Sequence, residues 1–233
     1  MKSITDSLSL QDLLAVLLPG ALAVFFIAIG WYGLEEIDGA YKFIKGEWTN
    51  PFAFGGASYF IGYVVYVLSS YLDTVYDRIK RWALGLDSGK EKLTKYPILN
   101  KVFPNLKHTH TLVMIIAKFS QEKIGDGYLN SEQKIIDVYQ FAFRWLMKEK
   151  PEMYAESERY LATARFFRSM VFVWAFGAIL WAIKANVEQK WYALLFFGLS
   201  VVSFFTFLNR WRKAHHIAFK NVIILDGLKK DTP

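Results

Sequence analysis

The chain has 233 residues, 54% of them hydrophobic and 18% aromatic, with 28 Lys/Arg against 21 Asp/Glu for a net charge of +7. It contains no cysteine, which excludes disulfides, thiolate metal centres and cysteine nucleophiles together and fits a cytoplasm-facing or bacterial inner-membrane protein. The apolar content is high for a soluble domain and low for a chain wholly inside a membrane, so a sizeable polar portion is expected between membrane segments.

Four stretches carry no charged residue: Leu13–Leu34, Trp48–Leu72, Ser169–Ile183 and Trp191–Asn209. A hydrocarbon core of roughly 30 Å requires a helix of about 20 apolar residues. The first, second and fourth runs have that length. The third reaches it if Arg168 and Lys184 at its ends snorkel to the two interfaces. The expected fold is therefore an all-α integral membrane protein. It has four transmembrane helices and an α-helical cytoplasmic domain between spans two and three.

The first span covers about 12–34 and starts near Ser7 or Ser9, either of which can cap it. Its apolar run is too long for a signal-peptide core, and no small-x-small site precedes Glu35-Glu36, so a retained span is expected. Pro19-Gly20 lies inside it, as either a packing kink or a gate. The loop 35–50 holds four acids and two lysines, as an outside loop can. With the second span it completes an N-terminal hairpin, 1–72.

Trp48-Thr49-Asn50-Pro51 reads as an interfacial tryptophan, a cap and a helix-starting proline. The second span covers 51–72, and no breaker stops the helix before Arg81. Tyr59, Tyr63, Tyr66, Ser70, Asp73 and Asp77 recur at intervals of four and three. At 100° per residue they lie within about 40° of one line, with Gly55 and Gly62 at its edge. A polar stripe on a span is expected to face protein or water rather than lipid. It serves either internal hydrogen bonding or an oligomer or pore surface. Asp73-x-x-x-Asp77 has a further reading as a divalent-metal pair for a membrane-face enzyme on a phosphorylated lipid. That chemistry needs a second acidic element, and none is apparent.

Residues 73–167 form the expected cytoplasmic domain. Thr109–Ile124 reads as a helix, although its β-branched core, Thr111–Ala117, leaves a buried strand open. Asn130–Gln133 has capping-box spacing before a helix over Ser131–Lys148. There Ile135, Val138, Tyr139, Ala142 and Leu146 share one face. Pro151 suits the first turn of a helix that runs into the third span. The C-terminal hairpin, 168–209, has spans of about 168–184 and 191–209, and the fourth can extend toward Leu225. A basic tail, 210–233, follows. Spans one and four read as ordinary lipid-facing helices.

Lysine and arginine are unevenly placed. The N-terminus, the middle region and the tail hold 24 of the 28. By the positive-inside rule these segments are cytoplasmic, with both termini inside. Arg78, Lys80, Arg81, Arg165, Arg168, Arg210, Arg212 and Lys213 flank the spans and read as topology and anionic-lipid contacts, each worth about 1 kcal/mol near the surface. Trp31/Tyr32, Trp48, Trp174, Trp181, Trp191/Tyr192 and Trp211 read as an interfacial belt. The pairs His108/His110 and His215/His216 lack zinc-site spacing. No metal, cofactor or nucleic-acid motif is expected. The partners expected are the lipid bilayer, further copies of the chain and a soluble cytoplasmic protein. The functional expectation is a non-enzymatic inner-membrane effector or pore-like subunit, a layout found among stress and antiviral components; an anionic-lipid scaffold is the other alternative.

Overall fold

The structure is a computed structural model and describes residues 4–32, 51–84, 111–119, 134–184 and 189–230. Among the described residues every regular element is helical. In chain order they are α1 (Ile4–Tyr32), α2 (Pro51–Ser69), α3 (Tyr71–Leu84), α4 (111–119), α5 (Lys134–Glu149), α6 (Pro151–Lys184) and α7 (Trp191–Lys230). The loop 35–50, the capping box at Asn130–Gln133 and the His108/His110 pair lie outside the described residues.

Both prolines expected to open helices do so. Pro51 begins α2 and Pro151 begins α6, where the missing N–H costs nothing. Lys150 alone separates α5 from α6. Its amide donates to the Leu146 carbonyl at 2.8 Å, closing α5, and its own carbonyl accepts from Met153 and Tyr154 at 3.1 and 3.2 Å, opening α6. The 111–119 segment is a helix, and the strand alternative is thereby removed. Leu112, Val113, Ile116 and Phe119 are its buried side chains, a helical spacing that overrides the weak propensity of its β-branched residues.

The chain divides into two compact units. One comprises Met1–Ile4, Asp77–Leu161 and Asn209–Pro233; the other comprises Thr5–Tyr76 and Ala162–Leu208. In the first, Val138, Ala142 and Leu146 of α5 are fully buried, as are Ala214, Ala218 and Val222 of α7. The alanines let the α7 backbone come close to its neighbours. Tyr139 stacks on His215 with ring centroids 3.8 Å apart and meets Phe219 edge-on at 6.2 Å. Phe119 of α4 stands at 89° to Trp145, 5.3 Å away.

The second unit is built around α1. Ala23, Phe26 and Ile29 are buried there, with Val173 and Trp181 of α6. The Phe26 ring has Trp174, Trp181 and Phe196 at 6.0, 5.9 and 5.3 Å. A Cβ on Gly177 would lie 2.9 Å from that ring, so glycine makes the space. Two expectations are corrected here. Helix α1, expected as a lipid-facing first span, is the central helix of this unit. Trp174 and Trp181 pack into an aromatic core, Trp181 being only 7% exposed, instead of lying in a belt. Trp191 and Tyr192 are exposed and stacked on each other at 3.8 Å.

Helices α1 and α2 cross in direct backbone contact. A Cβ on Gly20 would run into the Ser58 carbonyl, and one on Gly62 would run into the Val16 carbonyl and lie 3.2 Å from the Gly20 Cα. Pro19 is fully buried beside this crossing, and α1 continues through it. Packing thus accounts for the Pro19-Gly20 pair.

Candidate functional site

The polar stripe expected on the second span, carried by α2 and α3, divides into two environments. One is a closed network at the end of α2. The helix expected to run unbroken to Arg81 is interrupted at one residue, Ser70, between α2 and α3. On either side of it the ladder tightens: Ser70 N donates to Val67 O at 3.1 Å and Asp73 N to Ser70 O at 3.0 Å. Ser69 Oγ donates to Tyr66 O at 2.8 Å, and Ser70 Oγ donates to Val67 O at 2.6 Å. The two serine hydroxyls therefore serve two of the last carbonyls of α2, groups a helix end leaves without intrahelical donors.

Arg168 of α6 enters this junction. Its residue is 3% exposed, so it turns into the protein and does not extend to a lipid headgroup as the sequence suggested. Its Nη1 forms an ion pair with Asp73 Oδ2, its Nε donates to Ser69 Oγ at 3.2 Å, and its guanidinium lies 4.8 Å from the Tyr66 ring centroid. Ser169 Oγ is 3.4 Å from Ser69 Oγ. Because Ser69 spends its single proton on Tyr66 O, it is the acceptor toward both Arg168 and Ser169. Three separate groups thus converge on one buried hydroxyl.

The other environment is an open face of α2. Tyr59, Phe60, Tyr63, Val64, Val67 and Leu68 are exposed, Phe60 by 69% and Tyr63 by 53%. The hydroxyls of Tyr59 and Tyr63 have no hydrogen-bond partner among the described residues. Gly55 and Gly56 have nothing within 4 Å of an added Cβ. Gly62, grouped with the stripe in the sequence, instead faces α1. Tyr66 sits between the two environments, half-buried beneath Arg168.

The remaining candidates are dispersed. Asp77 is half-buried on α3, in the other compact unit from Asp73. Among the described residues no group of three His, Asp or Glu side chains is placed to hold a metal ion. Arg78 and Lys213 are exposed, Arg165 is half-buried, and the side chains of Lys80 and Arg81 lie outside the described residues. Arg210 stacks over the Tyr160 ring at 5.6 Å, and Arg212 donates to Asn209 Oδ1 at 3.0 Å. His215 is packed against Tyr139 and Trp211, with Nδ1 2.8 Å from the Trp211 carbonyl. Lys184 is exposed and donates to the Gly30 carbonyl near the end of α1.

The pairing of Arg168 with Asp73 was the residue contact that sequence reasoning missed. A signal for it exists. Asp73 is the first charged residue after the second charge-free run, and Arg168 is the last before the third. Each is the charge nearest its apolar segment.

Fold and site together define a protein whose described residues are helical, and among them two helices, α6 and α7, are long and apolar enough to cross a membrane. No family model matches the chain, and no curated protein or solved structure is significantly similar to it.

Proposed function

We propose that the protein is a four-span, non-enzymatic inner-membrane effector that works as a homo-oligomer. In this reading copies meet through the open face of α2, and the unit containing α4 and α5 faces the cytoplasm, where it docks a soluble partner or senses a signal. The observation that carries the proposal is the pair Tyr59 and Tyr63, exposed and without hydrogen-bond partners among the described residues, on a 19-residue helix that holds no charge. Tyr59 lies about 12 Å and Tyr63 about 18 Å along α2 from Pro51, at 1.5 Å per residue. A phenol hydroxyl at that depth in hydrocarbon is unsatisfied unless another polar group reaches it. A second copy of the same face brings hydroxyls, and open glycines let the backbones approach.

Four spans are supported by the 29-residue α1, whose segment Ala15–Gly30 is apolar, and by the charge-free α2. Engagement of Asp73 by Arg168 weighs against the Asp73/Asp77 metal pair and the lipid-enzyme alternative.

The test is stoichiometry in a bilayer. Because the chain has no cysteine, single substitutions Tyr59→Cys, Phe60→Cys, Tyr63→Cys and Val67→Cys report without background. Disulfide-linked dimers are expected at these positions and not at the buried Ala23→Cys. Single-molecule photobleaching of labelled protein in nanodiscs or native vesicles is expected to show multiple steps. The double variant Tyr59→Leu/Tyr63→Leu is expected to lower association at least tenfold. One bleaching step for the native chain at every density would refute the proposal.

A further inference from the structure

We infer that the α2–α3 junction is a latched hinge, with the break at Ser70 as the hinge and the Arg168–Asp73 ion pair as the latch. A helix normally resists bending because each bend strips carbonyls of their amide donors. At this break two of the end carbonyls of α2 are served from within the same segment. Ser69 Oγ occupies Tyr66 O and Ser70 Oγ occupies Val67 O, at 2.8 and 2.6 Å. Those two bonds lie on the α2 side and survive any rotation of α3 about Ser70. When the backbone reorients there, Tyr66 O and Val67 O thus keep donors, which lowers the cost of bending at this point.

What fixes the angle is contributed from outside the hinge. Asp73 stands just beyond the break on α3, and Ser69 stands just before it on α2. Arg168 holds both at once, through Nη1 to Asp73 and Nε to Ser69, while its plane covers Tyr66. One guanidinium thus spans the hinge. A planar fork with fixed donor directions suits this better than a lysine ammonium would. The two ends of the pair differ in access: the side chain of Arg168 is 4% exposed and that of Asp73 is 27% exposed. Asp73 is thus the end that can leave, swinging toward water with α3, while Arg168 keeps its bond to Ser69. A latch of this kind operates within one chain, whether or not copies associate.

The hinge is tested in the full chain reconstituted in nanodiscs, by electron–electron distance measurement between spin labels at Phe60→Cys and Val75→Cys. Both sites are exposed, on opposite sides of Ser70, and fifteen residues of straight helix would separate them by about 22 Å along the axis. The native pair is expected to give one narrow distribution. Asp73→Asn is expected to at least double its width, and the exchanged pair Asp73→Arg/Arg168→Asp to narrow it again. Adding Ser70→Leu, a strong helix former at the break, is expected to suppress the broadening caused by Asp73→Asn. Arg168→Gln should act as Asp73→Asn does; if it fails to fold, the substitution at the more exposed Asp73 carries the same prediction. An unchanged distribution in Asp73→Asn would overturn the latch. Broadening that persists with Ser70→Leu would overturn Ser70 as the hinge.

Discussion

At the residue scale, Ser69 is the group on which the buried network depends. Replacing it with alanine leaves the Nε of a 3%-exposed arginine without its acceptor. An unmade bond of that kind costs about 1–3 kcal/mol, more for a charged donor. Ser69→Ala is therefore expected to lower the thermal midpoint of the detergent-solubilised protein clearly. Ser70→Ala, at an exposed position, is expected to shift it little. Equal shifts would show that Ser69 is not the hub. The glycines divide in a similar way. Gly62→Val places methyls against the Val16 carbonyl and is expected to unfold the α1–α2 crossing. Gly56→Leu has open space around it, so it should leave the midpoint intact and weaken only association between copies. The sequence placed Gly55 and Gly62 together at the edge of one stripe, yet Gly55 is open and Gly62 is packed against α1, because helical phase alone does not say where along a helix another one crosses.

At the element scale, much of the fold was legible. The proline starts at Pro51 and Pro151, the buried face of α5 and the long runs of α6 and α7 all follow from local rules that read one segment at a time. The failures came where two segments meet. Trp174 and Trp181 have the position of interfacial tryptophans in a linear sequence, yet Phe26, far away in the chain, draws them inward. Arg168 has the position of a lipid anchor, yet Asp73 engages it. Span two looked continuous because serine is a weak breaker; it breaks because two adjacent serines each serve a carbonyl. The aromatic core gives a direct comparison. Trp181→Ala removes a buried indole and is expected to cost about 3–5 kcal/mol, whereas exposed Trp191→Ala should stay within about 0.5 kcal/mol. If the two variants melt alike, the α1–α6 aromatic cluster is not the core of its unit.

At the scale of the whole molecule, the proposed function depends on four helices crossing the bilayer. Helices α6 and α7 satisfy length and apolarity by themselves, and a two-span arrangement would need only them. The charge distribution favours four. The 35–50 loop carries more acids than bases, and the segments on either side of the two hairpins hold nearly all the Lys/Arg. The two arrangements differ at one place. With four spans the loop around Lys42 is outside; with two it shares a side with α4. Lys190 lies between α6 and α7 and is outside in both if α4 is inside. Three single-cysteine variants of the cysteine-free chain therefore decide it: Lys42→Cys, Met114→Cys and Lys190→Cys. In intact cells a membrane-impermeant maleimide is expected to label Lys42→Cys and Lys190→Cys. Met114→Cys, exposed on α4, should react only after permeabilisation. Protection of Lys42→Cys alongside Met114→Cys would reduce the bundle to two spans. It would also remove α2 from the hydrocarbon, and with it the reason its tyrosine hydroxyls need another copy.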